Sequence, residues 1–271
     1  MTAVVLSGEG ARGPFQWGAL QYLISNGLEV SKLYGISSGG LTTALASQVE
    51  PEAVTRTLNG ITSIHSLFDF NYLFPFGEGF YKTGPLKLIL ENLLKTARLP
   101  VARRRPGVVS YVDIEKGSLI YKDVNQLTDK EIIEAVLSAV SIPGLIVPYK
   151  WPYIDAGTME INPVTYALSQ GETSIAVIIG RPSTPTPYEK PHGLFKGVKI
   201  AYKALDLMMH ASCMDDMLSG ALSGCEADIQ LIEPIYPLGD TLDFTKAKDS
   251  YSVGIRGRYK RTDVVKAMRN L

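Results

Sequence analysis

Lys32-Leu33-Tyr34-Gly35-Ile36-Ser37-Ser38-Gly39-Gly40-Leu41 is the stretch whose reading decides the fold. Residues 32–35 read as a short strand, Ser37-Ser38-Gly39-Gly40 as a turn, and residues 41–48 as a helix. A strand that passes into a helix this abruptly belongs to a sheet with helices on its faces. The same order occurs upstream. Residues 3–6 are an apolar run that reads as a buried strand, and Gly8-Glu9-Gly10-Ala11-Arg12-Gly13 follows as a loop. Pro14 then opens a helix whose apolar face is Leu20, Leu23 and Ile24, and Asn26-Gly27 closes it. The fold expected is α/β, with a mostly parallel central sheet and helices on both faces. Ligands of such sheets sit at the carboxyl ends of strands, where both glycine loops lie.

Farther along, residues 66–81 are rich in aromatics, glycine and proline, and read as an irregular cover segment carrying Phe68, Phe70, Tyr72, Phe74, Phe76, Phe80 and Tyr81. Residues 85–97 read as an amphipathic helix, and 100–106 as a basic linker. Residues 108–113 and 118–122 read as a hairpin around Glu115-Lys116-Gly117. A helix over 129–140 ends at Pro143-Gly144, and the chain runs on to Tyr153-Ile154-Asp155. Beyond a strand at 174–179 come a proline-rich loop at 181–191 and a long helix, or helix pair, over 194–220. That helix carries Leu205, Met208, Met209 and Met217 as core filler. A late strand is expected at 229–232. The tail 256–271, with Arg256, Arg258, Lys260, Arg261, Lys266 and Arg269 against Asp263, reads as a solvated basic helix.

Composition narrows the function classes. The 271 residues are 45% hydrophobic and 20% charged with a formal net charge of zero, so no global charge points to nucleic acid. The two cysteines, Cys213 and Cys225, make neither a disulfide framework nor a metal-ligand spacing, and read as buried free thiols in a reducing cytoplasm. No basic leader and no bilayer-length apolar run is visible, so a lipid substrate would be met from the water side.

Gly35-Ile36-Ser37-Ser38-Gly39 fits G-x-S-x-G, the pattern of a nucleophile elbow. The elbow holds a serine between a strand and a helix, and its glycines let neighbouring backbone approach. Gly8-Glu9-Gly10-Ala11-Arg12-Gly13 offers backbone N–H groups that suit an oxyanion, with Arg12 to hold the loop or offset negative charge. The loop also matches G-x-G-x-x-G by letter. A nucleotide-binding reading, however, lacks the acidic residue closing a second strand about 20 residues on. Asp155-Ala156-Gly157 places a carboxylate at a strand end beside small residues, where it suits a general base. The histidines, His65, His192 and His210, all fall outside strand-end glycine contexts. A serine without an evident histidine points to a Ser37–Asp155 dyad.

Taken in order, these segments resemble the motif set of patatin-like phospholipases: a G-G-G-x-R-G oxyanion loop, a G-x-S-x-G elbow and a D-G-G/A motif. Leu137-Ser138-Ala139-Val140-Ser141-Ile142-Pro143-Gly144, Asn162-Pro163-Val164 and Tyr81-Lys82-Thr83-Gly84-Pro85-Leu86 resemble further family segments. Two positions depart from the family pattern. Glu9 stands where the family has glycine, and Ala156 where the second motif residue is usually glycine. The resemblance implies one patatin-like domain over 1–271, with the motifs within 3–180 and a C-terminal helical part at 181–271. It implies hydrolysis of lipid acyl esters, phospholipase A- or lysophospholipase-like, by Ser37 as nucleophile and Asp155 as base. Gly8, Glu9, Gly10, Ala11 and Arg12 form the oxyanion loop, supported by Gly13, Gly35, Gly39 and Gly157. No metal or organic cofactor and no nucleic acid is expected, and the location implied is cytoplasmic or peripheral at a membrane. Competing expectations are an acyltransferase working through the same acyl-enzyme, and a non-catalytic binding or scaffold protein, which Glu9 favours.

Overall fold

The computed structural model describes residues 1–73, 76–183, 196–223 and 226–269. Phe74, His192, Cys225, the side chain of Leu205 and the proline-rich loop past Ser183 lie outside the described residues. The chain opens with β1 (Thr2–Leu6), α1 (Gly13–Ser25), β2 (Val30–Ile36), α2 (Ser38–Gln48) and α3 (Pro51–Asn59). Then come β3 (Asp69–Phe70), β4 (Gly79–Lys82), α4 (Gly84–Thr96), β5 (Gly107–Asp113) and β6 (Ser118–Asp123). The next elements are α5 (Asp129–Ala139), β7 (Gly144–Ile146), β8 (Tyr153–Asp155), α6 (Val164–Ser169) and β9 (Ser174–Ile178). The chain closes with α7 (Lys196–Ser223), β10 (Asp228–Pro234), α8 (Ala247–Ile255), β11 (Tyr259–Asp263) and α9 (Val264–Arg269).

The central sheet runs β11-β10-β9-β1-β2-β5-β6, and β8 pairs with β5 off this path. Its five middle strands, β10 to β5 in that order, pair in parallel. The outer pairings, β10 with β11 and β5 with β6 and β8, are antiparallel. Alternation along β1 supplies both faces: Val4 and Leu6 enter one apolar cluster, Ala3 and Val5 the other. The first cluster takes side chains from α1, α2, α4 and α5, and the second from α6 and α7. Local chemistry starts the helices where the sequence indicates. Pro14 sits in the first turn of α1, and α5 is opened by a Thr128–Glu131 capping box.

Three readings need correction. The cover segment is not wholly irregular, because β4 pairs with β3 and β7 to make a second, three-stranded sheet. The tail is not one helix. Residues 259–263 pair antiparallel with β10, and among the described residues of the tail only Val264–Arg269 is helical. One cross-strand contact fits this placement, since Lys260 meets Glu233 at 3.5 Å, and along β11 the Arg261 guanidinium lies 5.8 Å from the Tyr259 ring. Basic residues on an edge strand also hinder pairing with other chains. Finally, Met217 is buried in the second cluster, but Met208 is exposed and is not core filler.

Candidate active site

The parallel pairing of β1 with β2 brings the glycine loop and the Ser37 turn to the same end of the sheet. Ser37 has φ 55° and ψ −124°, and no other non-glycine among the described residues has positive φ. Such a conformation is held only where surrounding packing over-determines it. Here the packing is tight. A Cβ at Gly39 would lie 2.0 Å from the Leu6 carbonyl oxygen, and one at Gly35 would lie 2.2 Å from that of Gly39. The G-x-S-x-G spacing is therefore a steric requirement of this turn. Ser37 caps α2, whose first N–H groups and positive dipole end face the serine.

Strand β5 explains how Asp155 arrives. Its first half pairs with β2, Ile36 opposite Ser110, and its second half pairs with β8, Asp155 opposite Tyr111. Asp155 thus follows Ile36 one step along the same edge of β5. Ser37 Oγ donates to Asp155 Oδ2 at 2.6 Å, and Gly157 N–H donates to Oδ1 at 2.7 Å. The Asp155 N–H donates to the Ser141 carbonyl, so the 137–144 segment holds the acid's backbone. Both side chains are buried. Burial pushes the Asp155 carboxyl up to about 6, against the lowering effect of its hydrogen bonds from Ser37 and Gly157. A carboxyl poised there and bonded to a hydroxyl has the geometry and basicity to take its proton near neutral pH.

The loop lies against this pair, since a Cβ at Gly8 would be 3.4 Å from Ser37 Cβ. Its N–H groups are not equivalent. Those of Gly8, Glu9, Ala11 and Arg12 donate to Ile161 O, Ser38 Oγ, Thr241 O and Glu9 O. Gly10, at φ 57°, has no hydrogen-bond acceptor for its N–H among the described residues and lines the cavity beside Ser37. That cavity is apolar, walled by Leu41, Leu45, Leu67, Phe68, Ile146 and Phe244 among others, and no charged side chain lines it among the described residues.

Glu9 does not face this cavity. Its carboxylate is fully buried, accepting from Arg181 Nε at 2.9 Å with Arg12 Nη1 at 3.7 Å. Asp206 Oδ1 lies 3.4 Å from Arg12 and 3.5 Å from Arg181, and accepts from Thr241 Oγ1. Burial alone would lower the Arg181 pKa, but Glu9 and Asp206 raise it above its ordinary value. Arg181, Asp206 and Thr241 escaped the sequence reading, because none sits in a recognisable local pattern. The Ser38 hydroxyl joins the elbow to the loop by accepting from the Glu9 N–H. Asn162, in the resembling Asn-Pro step, accepts from Ser7 Oγ and donates to the Cys213 carbonyl at 2.8 Å.

The histidines described are elsewhere. His65 packs against Tyr81, ring centres 6.1 Å apart, and His210 lies in α7 with its pKa lowered by burial and by Arg181. Cys213 is a buried free thiol whose pKa burial pushes up to about 12. No cluster able to hold a metal ion occurs among the described residues, and none of their helices is long and apolar enough to cross a membrane.

No curated protein matches the chain at the sequence level. Among solved structures, VipD from Legionella pneumophila shares the fold at TM-score 0.50 and 15% identity, over 97% of this chain and 68% of that one. The profile of the patatin-like phospholipases matches residues 4–168, more than half of the chain, and contains the strained serine, its carboxylate partner and the glycine loop. The chain belongs to the patatin-like phospholipase family.

Proposed function

We propose that the protein is a serine acyl-ester hydrolase of phospholipase A or lysophospholipase type, working through a Ser37–Asp155 dyad and an acyl-enzyme. Family membership supports lipid acyl hydrolysis in general. The observation that carries the dyad is the 2.6 Å bond between Ser37 Oγ and Asp155 Oδ2. As Ser37 Oγ attacks the ester carbonyl, its proton passes to Asp155. The oxyanion is met by the Gly10 N–H and the first N–H groups of α2. Collapse breaks the ester C–O bond, and the Asp155 proton leaves with the alcohol. Water then attacks the acyl-enzyme, giving its proton to Asp155, and Ser37 is restored with release of the carboxylic acid. The acyl chain lies in the apolar cavity, and the uncharged lining leaves any charged headgroup outside it. Glu9, the residue that favours a non-catalytic scaffold, turns away from the cavity to meet Arg181, which supports the catalytic reading.

A base near pH 6 makes a prediction. For p-nitrophenyl butyrate, kcat/KM falls about tenfold per pH unit below an apparent pKa of about 6, because protonated Asp155 cannot accept the serine proton. A pH–rate profile checks this, and an acid limb near the ordinary carboxylate range would contradict a buried base.

Beside the cavity wall, Phe70 in β3 and Tyr72, Leu73 and Phe76 between β3 and β4 are exposed, Tyr72 91% and Phe76 98%, while neighbouring Phe68 is buried and lines the cavity. This grouping is read as the lipid-facing rim of the site. Changing Tyr72 and Phe76 together to serine is expected to weaken co-sedimentation with phosphatidylcholine vesicles about tenfold or more. Hydrolysis of the water-soluble ester should be unaltered. Unchanged vesicle binding would remove the rim from the proposal.

A further inference from the structure

Glu9 occupies a family glycine position inside the loop that faces the nucleophile, and it arrives with a partner. Its carboxylate accepts from Nε of Arg181, in the segment just past β9, and Arg181 Nη2 also reaches the Gly8 carbonyl at 3.5 Å. Asp206, from α7, stands within 3.5 Å of both Arg181 and Arg12. Arg12 in turn donates to the Gly239 carbonyl at 2.9 Å and to Thr241 Oγ1 at 2.9 Å, while the Ala11 N–H donates to the Thr241 carbonyl. Two acids and two arginines, all nearly inaccessible to water, therefore tie the back of the loop to three separate elements.

Stability does not account for this arrangement. Buried ion pairs frequently break even or worse against apolar packing. Glu9 also has a further cost, since its Oε1 is buried without a hydrogen-bond partner among the described residues. The neighbouring backbone is shaped to admit the pair, because a Cβ at Gly180 would lie 2.8 Å from Arg12 Cβ and 3.2 Å from Glu9 Cγ. The network's rigid product is the path of residues 8–12, which sets the direction of the Gly10 N–H.

We infer that Glu9 and Arg181 are positioning residues: their buried ion pair, braced by Asp206 and Arg12, fixes the loop so that the Gly10 N–H is aimed at the developing oxyanion. This rests on the reading of Ser37 and the glycine loop given above. The pair acts on the transition state and not on acyl-chain binding, because neither side chain lines the cavity.

The test compares wild type with Ser37→Ala, Glu9→Gln, Glu9→Asp and the neutral double variant Glu9→Gln with Arg181→Gln. Each is measured for kcat and KM on p-nitrophenyl butyrate, rate of labelling by a fluorophosphonate, and thermal midpoint. Glu9→Gln should lower kcat about 100-fold with KM changed less than about twofold, and labelling should slow in parallel, as expected of a misplaced catalytic group. Glu9→Asp should restore most of the loss. The double variant, having no unpaired buried charge from this pair, should regain thermal stability but not kcat. Wild-type kcat in Glu9→Gln or in the double variant, with Ser37→Ala dead, overturns the inference and leaves the hydrolase reading standing. Activity in Ser37→Ala overturns both. Should Glu9→Gln fail to fold, the double variant and Glu9→Asp decide the matter alone.

Discussion

Changing Ser37 to alanine is expected to lower kcat on p-nitrophenyl butyrate by about 10⁴-fold or more, the scale at which serine hydrolases lose their nucleophile. The reason is local. The hydroxyl is the atom that Asp155 holds at 2.6 Å and that the elbow thrusts toward the cavity. Alanine keeps the Cβ that the turn already accommodates, so the fold and the apolar cavity should persist. Vesicle binding should then be unaltered, and fluorophosphonate labelling abolished. Residual activity within about tenfold of wild type would remove Ser37 as nucleophile, whatever the resemblance suggests.

Asp155→Asn should cost activity on a similar scale, about 10⁴-fold, because an amide oxygen cannot take up the serine proton. Its effect on stability has the opposite sign. The carboxyl rises from its ordinary 3.8 to about 6 in the folded protein, so the folded state binds that proton more tightly than the unfolded state does. The favourable contribution is complete below pH 3.8 and is lost as the pH climbs through about 6. Above that, the ionised buried group weighs on the fold by about 3 kcal/mol. Asparagine carries no such charge and can still accept from the Gly157 N–H. The variant should therefore melt higher than wild type at pH 8, the gap closing toward pH 4. A variant that melts lower at pH 8 would show that burial is not what perturbs this carboxyl.

The first half of the molecule was legible because its signals are short-range. An apolar run, a glycine loop, a proline at a helix start and G-x-S-x-G each act within one turn of chain, and β1, α1, β2 and α2 follow from them. Ser37 and Asp155 could be named because each sits in such a signal. The dyad was expected from the missing histidine, but the route that joins its members was not visible, since it depends on β5 lending one edge to β2 and then to β8. The same limit explains β11. Tyr259-Lys260-Arg261-Thr262-Asp263 is too polar to read as a strand, and only the open edge of β10 makes it one. Helix α3 went unremarked although Pro51 opens it and Ala53 and Val54 are buried, because nine residues give too few periods to stand out. Arg181 and Asp206 are single charges whose meaning lies wholly in which loop they meet.

The shared edge of β5 has one more outcome. Ser37 and Asp155 ride on a single hydrogen-bonded rail, so their separation is set by strand spacing and not by the 118 positions of chain that separate them. The intervening turns, the cover sheet and its exposed rim can lengthen, shorten or change composition without detuning the reaction. Selectivity for new substrates is thereby free to diversify while the chemistry stays in register.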